Sequence, residues 1–315
     1  MPTELPFVTL DVFTATPYRG NPLAVVTIPP TLSPPPTQAQ KQAIAREFNL
    51  SETVFVHDVA DPSAAKTRTI DIFLPSAEIP FAGHPTIGTA VSLLGQGVDT
   101  LLTKAGPVPL ELTGERFVQA SIPHDVHLHA KTARQLRPSE LYSAERLQAD
   151  KDLRERELSS PVVSIVNGVT FLLVELESLE QLAKVQQTGV GFPPEELLDD
   201  GWRRGLIARL YYVKMGERRD EESGLPVQML RTRMMEHLFE DPATGSAACC
   251  LGSYLSIEAD KGQTGMPKRR YDITQGVEMG KESDIVVEVE MKNNRVDHVR
   301  LAGTAVQVMR GYVSL

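Results

Sequence analysis

Residues 83–90, with the sequence GHPTIGTA, are nearly repeated by residues 240–247, with the sequence EDPATGSA. In each segment a polar residue, His84 or Asp241, precedes a proline, and threonine, glycine, a hydroxyl residue and alanine follow. The two copies lie about half of the 315 residues apart, which predicts two similar domains. We expect each domain to contribute one helix N-terminus to a shared cleft.

The apolar runs after these segments predict helices at residues 86–94 and 247–254. Neither run has a polar face, which is typical of a helix that other structure encloses on every side. Short stretches rich in β-branched residues predict strands around both. The sequence therefore predicts several short strands around one buried helix, twice over. We expect domains at residues 1–125 and 126–302, with a strand at about 303–315 returning to the first.

Local signals predict two further elements. Thr37 is expected to cap a helix that ends at about Phe48, because a threonine oxygen can accept the free N–H groups of a first turn. Asn167 and Gly168 separate two apolar runs, and both residue types tolerate the positive φ of a tight hairpin.

Composition excludes several classes of function. The net charge of −9 argues against nucleic acids and anionic membranes as partners, since both require a concentrated basic patch. No apolar stretch reaches the roughly 18 residues of a membrane span, and the N-terminus does not resemble a secretory signal. Cys249 and Cys250 are adjacent and form no disulfide framework, so we expect a cytoplasmic protein with reduced thiols.

Three polar residues beside predicted element ends are candidates for chemistry. His84 is expected near the free N–H groups of a buried helix, where a substrate carboxylate binds well; alternatively, it only caps that helix. Asp241 has the same two interpretations, and Gly245 and Ser246 would complete a small anion cradle there. Glu52 lies between a capped helix and an apolar strand, so it is either a general base or a capping or surface residue.

Five blocks of the sequence together resemble the phenazine-biosynthesis PhzF-like isomerases. They follow the order of that family and span nearly the whole chain: DVF at 11–13 with GNPLAV at 20–25, SETVFV at 51–56, PFAGHPT at 80–86, EDPATGSA at 240–247, and QGVEMG at 275–280. The chain departs from the family at residues 233–239, where a Phe-x-Pro element is usual.

This resemblance implies an α+β fold like that of diaminopimelate epimerase, in which two similar domains are each a barrel-like, mainly antiparallel sheet around a central helix. It places the active site in the interdomain cleft. It implies a cofactor-independent isomerase, a homodimer, that transfers a proton on a small carboxylate-bearing, cyclic or unsaturated metabolite. The catalytic residues of the family correspond to Glu52, His84, Asp241 and Ser246. Further substrate contacts are expected from Gly83, Thr244, Gly245, Gln275 and Gly276.

Two other functions stay open: an amino-acid racemase or epimerase with Glu52 and Asp241 as opposing bases, and a non-catalytic binding or scaffold protein. Related epimerases and proline racemases carry a cysteine in each helix-start motif. Here Ala82 precedes Gly83, and neither cysteine precedes Gly245. The sequence therefore disfavours racemisation by two thiols.

His127 and His129 would share one face of a strand and are a conceivable zinc pair. No cysteine or acidic residue at ligand spacing completes the pair, so we expect no metal site.

Overall fold

The computed structural model describes residues 4–62, 65–113, 116–136, 146–221, 223–237, 239–260 and 268–315. The chain forms two compact units. The first comprises Met1–Ile122 and Leu301–Leu315, and the second comprises Pro123–Arg300. Both are dominated by strands, and the predicted α+β class is confirmed. In the described ranges, none of the helices combines the length and the apolar character that a membrane crossing requires.

The described residues of the first unit form two helices and a set of strands. The helices are α1 (Gln38–Phe48) and α2 (Gly83–Ser92). The strands are β1 (Glu4–Val12), β2 (Asn21–Ile28), β3 (Thr53–His57), β4 (Thr67–Phe73), β5 (Glu78–Ile79), β6 (Thr100–Thr103), β7 (Gly106–Thr113), β8 (Phe117–Ser121) and the C-terminal β18 (Ala305–Ser314).

The other elements within the described ranges belong to the second unit. Its helices are α3 (Lys151–Ser159), α4 (Leu179–Lys184), α5 (Pro194–Leu197) and α6 (Gly245–Asp260), with 3₁₀ turns at Ala133–Gln135 and Val277–Met279. Its strands are β9 (His127–Leu128), β10 (Val162–Val166), β11 (Val169–Leu176), β12 (Leu206–Arg219), β13 (Pro226–Met235), β14 (Glu240–Asp241), β15 (Lys268–Gln275) and β16 (Ser283–Lys292). Strand β17 (Arg295–Gly303) runs across the boundary into the first unit.

The two units share one pattern of strand pairing. In the first, β1–β2, β3–β4 and β6–β7 are antiparallel, whereas β2–β3 and β4–β6 are parallel. In the second, β10–β11, β12–β13 and β15–β16 are antiparallel, whereas β11–β12 and β13–β15 are parallel. The short strands β5 and β14 also correspond, because each pairs with the strand before it and precedes the long buried helix. The repeat detected in the sequence thus reflects two units of like topology.

Helices α2 and α6 are the buried helices of the two units. Every residue from Gly83 to Val91 is buried, and α2 packs on β1 and β2. A Cβ atom on Gly88 would lie 2.5 Å from Leu23 Cδ2 and 2.6 Å from Val12 Cγ2, so this contact requires glycine. Helix α6 packs on β10 and β16. It extends past its predicted end, because the prediction followed the apolar run and the last turn of the helix is only partly buried.

The two local predictions are confirmed. Thr37 caps α1, and its Oγ1 accepts a hydrogen bond from the Gln40 amide at 3.3 Å. Asn167 and Gly168 join the antiparallel strands β10 and β11, and Gly168 has a φ of +101°. Helix α1 covers a core that includes Phe55 of β3.

Candidate active site

Glu52 and His84 lie next to each other in the first unit. Glu52 immediately precedes β3, and Thr53 fixes that point of the chain by pairing with Ala24 on one side and Phe73 on the other. His84 is the second residue of α2. The Glu52 Oε2 and His84 Nδ1 atoms are 3.4 Å apart, and the two side chains are 14% and 4% exposed. The structure therefore brings together two of the predicted catalytic residues in a largely dry environment.

The start of α2 suits an anion. Ala82 occupies the N-cap position, and its methyl group cannot accept a hydrogen bond from the first turn. Thr86 Oγ1 instead donates to the Ala82 carbonyl at 2.7 Å. The N–H groups of a first turn and the positive end of the helix dipole both attract negative charge. His84 lies inside the helix, so the interpretation that it only caps the helix is not what the structure shows.

Asp241 lies on β14, four residues before α6 begins, and it is 8% exposed. Its Oδ2 accepts a hydrogen bond from Thr244 Oγ1 at 2.5 Å. Gln275 Nε2 donates to the Asp241 carbonyl at 2.7 Å and to Thr244 Oγ1 at 3.1 Å. Gln275 Oε1 accepts from the Thr244 amide at 3.3 Å and from Thr232 Oγ1 at 3.4 Å. These residues form one buried network around the Asp241 turn.

The four bonds occupy both donors and both lone pairs of the Gln275 amide. Because these bonds are all within the protein and Gln275 is only 1% exposed, its side chain supports the Asp241 turn. Its contact with substrate stays a prediction. The backbone of Gly276 packs closely against the turn that contains Asp241. A Cβ atom at this position would lie 2.5 Å from the Pro242 carbonyl oxygen, and its φ of +77° also favours glycine.

The alignment of the two repeated segments does not match the first residues of helices α2 and α6. Helix α2 begins with Gly83 and His84, and helix α6 begins with Gly245 and Ser246. His84 therefore corresponds in structure to Ser246, whereas the shared proline had aligned it with Asp241. Proline is tolerated both in a first helical turn and in the turn before it, so it does not define where a helix begins. Gly83 and Gly245 are buried, and Ser246 is partly exposed.

The segment that departs from the family supplies a further support for Asp241. Arg233 Nε and Nη2 donate to the two carboxylate oxygens of Glu240, each at 2.8 Å. Arg233 Nη1 donates to the carbonyls of Leu182 at 2.9 Å and Val185 at 3.0 Å. Arg233 thereby links β14 to the end of α4. Only the fold could reveal this link, since α4 is distant in sequence.

The two cysteines are unsuited to acid–base chemistry. Cys249 and Cys250 are fully buried inside α6, and burial raises the pKa of both thiols. Cys250 Sγ donates to the Val163 carbonyl at 3.4 Å. A reactive thiol needs a lowered pKa and solvent access, so this environment argues against racemisation by two thiols.

His127 and His129 have an acidic neighbour that the sequence did not reveal. Asp199 Oδ2 lies 2.9 Å from His127 Nε2, and the Asp199 amide donates to His129 Nδ1 at 3.1 Å. His129 Nε2 therefore carries the proton and donates to Ser164 Oγ at 2.9 Å. The ring of His127 stacks on Trp202. Because a metal would have to displace the amide from His129 Nδ1, the arrangement favours a hydrogen-bonded structural cluster.

Comparisons with known proteins agree with the sequence motifs. The model of the family described as "Phenazine biosynthesis-like protein" matches residues 10–311. The trans-2,3-dihydro-3-hydroxyanthranilate isomerase of Pseudomonas fluorescens is 31% identical, over 98% of this chain and 99% of that protein. An uncharacterized isomerase of Mesorhizobium japonicum is also 31% identical, over 96% of each chain.

A solved structure shares the fold. The crystal structure of a PhzF-family phenazine biosynthesis protein from Bacillus anthracis matches with a TM-score of 0.71 and 23% identity. The match covers 99% of this chain and 100% of that one, so it includes both units. The resemblance inferred from the five sequence blocks is confirmed. The chain belongs to the phenazine biosynthesis-like protein family and is an isomerase of the PhzF type.

Proposed function

We propose that this isomerase moves a hydrogen on a small carboxylate-bearing, cyclic or unsaturated metabolite, with Glu52 as the acid–base catalyst. The observation that carries the proposal is the pairing of Glu52 with His84 at 3.4 Å beside the start of α2. A carboxylate that is largely shielded from water is a suitable general base. The adjacent helix start would favour the negative charge of a substrate carboxylate.

In the proposed reaction, Glu52 removes a proton from carbon, and the electron pair delocalises into the adjacent unsaturated system. The same group then returns a proton to another carbon of that system. One C–H bond breaks and one forms, so the substrate is neither oxidised nor reduced, and acid–base groups are sufficient. His84, Asp241 and Ser246 are assigned to holding the substrate and its developing charge.

Glu52→Gln is the direct test, and Glu47→Gln is its matched control. Glu47 is an exposed residue on α1, so the control repeats the chemical change away from the candidate site. We expect Glu52→Gln to lower kcat by about 10²- to 10⁴-fold, the usual contribution of general acid–base catalysis, without a change in circular dichroism. Activity within twofold of wild type in Glu52→Gln would refute the proposal.

The choice of substrate begins from a relative. Trans-2,3-dihydro-3-hydroxyanthranilate, which the Pseudomonas fluorescens relative is named for, is the first compound to assay. Reaction in D₂O distinguishes the outcomes. Deuterium incorporation with migration of the double bond supports isomerisation, and incorporation at one stereocentre alone supports epimerisation. Binding without incorporation over a panel of unsaturated and amino acids supports a non-catalytic protein.

We also propose an oligomeric state and a cellular location for the protein. The family resemblance supports a homodimer in the cytoplasm. Light scattering after size-exclusion chromatography, at several protein concentrations, tests the dimer directly. A constant mass near the 34.6 kDa of one chain would contradict it.

A further inference from the structure

The hydrogen-bond partners of Gln275 allow only one orientation of its side-chain amide. The amide orientation is determined by two backbone groups: the Asp241 carbonyl can only accept, and the Thr244 N–H can only donate. Nε2 must therefore face the carbonyl, and Oε1 must face the N–H. No alternative amide flip satisfies both partners.

This orientation leaves the proton of the Thr244 hydroxyl free to bond Asp241. Gln275 Nε2 also reaches Thr244 Oγ1 at 3.1 Å, so Oγ1 accepts there. The single hydroxyl proton of Thr244 is then donated to Asp241 Oδ2, at 2.5 Å. Oδ2 accepts this bond, as an ionised carboxylate oxygen does.

We propose that Gln275 and Thr244 are positioning residues that hold Asp241 Oδ2 as a hydrogen-bond acceptor and so stabilise the ionised carboxylate. The inference rests on the proposed function, because it assumes that Asp241 takes part in the isomerase reaction. A hydrogen bond to the charged form favours ionisation of a carboxyl group. The side chains that supply it are buried, with Gln275 1% and Thr244 9% exposed, so water does not replace them.

Thr244→Val tests the inference, because valine has nearly the shape of threonine but cannot donate to Asp241. We expect the acid limb of the pH–rate profile to move upward by about one pH unit, as for the loss of one hydrogen bond to a charged acceptor. Thr244→Ser keeps the hydroxyl and should return the limb to its wild-type position. Gln275→Glu cannot donate to Thr244 Oγ1 and should move the limb in the same direction as Thr244→Val.

Thr232→Val is the matched control. Thr232 donates to the acceptor end of Gln275, so its loss leaves the donor end and the bond to Asp241 in place. The acid limb should stay within 0.3 units of wild type, an interval we set at roughly a third of the shift expected from Thr244→Val. A cooperative unfolding transition in denaturant is required of each variant, as evidence that its second unit is folded, before the pH–rate profiles are compared.

A second readout does not depend on catalysis. The Asp241 carboxyl is titrated by ¹³C NMR, with Asp241→Asn to assign its signal. We expect the titration midpoint to rise by about one unit in Thr244→Val and to return in Thr244→Ser. Unchanged midpoints and profiles in folded Thr244→Val would overturn the inference. Full activity of Glu52→Gln would instead refute the proposed function, and the NMR titration would still decide the role of Thr244.

Discussion

Replacing Gly276 with alanine tests how closely the Gln275 turn approaches the Asp241 turn. Gly276 and Gly280 flank the same 3₁₀ turn, with φ values of +77° and +68°. An L-residue in this conformation costs about 1–2 kcal/mol. The environments of the two glycines differ. A Cβ on Gly276 would lie 2.5 Å from the carbonyl oxygens of Pro242 and Lys281, whereas nothing lies within 4 Å of one on Gly280.

Backbone carbonyls cannot rotate away as a flexible side chain can, so Gly276→Ala must shift the chain. Overpacking of this kind costs a further 1–3 kcal/mol or so. We therefore expect Gly276→Ala to lower the free energy of unfolding by about 2–5 kcal/mol and Gly280→Ala by about 1–2 kcal/mol. Because the shift displaces Pro242, next to Asp241, Gly276→Ala should also lose more activity.

Urea unfolding followed by tryptophan fluorescence measures both variants. Trp202 is the single tryptophan and belongs to the second unit, as do both glycines, so the signal reports on the affected part of the chain. The slope of unfolding free energy against urea must stay unchanged for the comparison to hold. Equal unfolding free energies for the two variants, within about 0.5 kcal/mol, would show that the close approach of Pro242 adds no strain.

Two further predictions concern buried polar groups of the second unit. Tyr211 donates a hydrogen bond at 2.6 Å to the fully buried Glu157 carboxylate, so Tyr211→Phe should lower the free energy of unfolding in urea by about 1–3 kcal/mol. The Tyr212 hydroxyl donates to the half-exposed Glu175 carboxylate, so Tyr212→Phe should lower it by less than about 1 kcal/mol. Burial, followed by the charge of a neighbouring histidine, lowers the pKa of His129 to about 4. Its folded pKa is below its unfolded value of 6.5, so its contribution to stability is present above pH 6.5 and is lost as the pH falls toward 4. Wild type should lose stability between pH 7 and 5, and His129→Gln should make that loss smaller by about 2 kcal/mol. An unaltered loss would contradict the burial argument.

Much of the fold was predictable from local sequence. The cap at Thr37 and the hairpin at Asn167 and Gly168 depend on neighbouring residues alone, because their hydrogen bonds and φ values are local. The uniformly apolar runs correctly indicated the two enclosed helices. The motif blocks predicted the family, and they also singled out Glu52 and His84, which the structure places in contact.

Contacts between distant segments were not predictable in this way. The pairing of Asp199 with His127 and the bonds from Arg233 to the Leu182 and Val185 carbonyls join elements that no local pattern relates. The saturation of the Gln275 amide likewise depends on residues of three separate segments. Each of these decides what a candidate residue can do: His129 has no lone pair available for a metal, and Gln275 supports Asp241.

The repeated motifs are enough to indicate two like units with a polar motif before each buried helix. How these motifs correspond depends on the packing of each unit. Proline is accepted both within and before a first helical turn, so the shared proline aligned His84 with Asp241. The packing of α2 and α6 instead begins those helices at Gly83 and Gly245, which pairs His84 with Ser246 and leaves Asp241 on a strand. Helix starts are selected by burial and backbone hydrogen bonding over the whole unit, and a short motif does not contain that information.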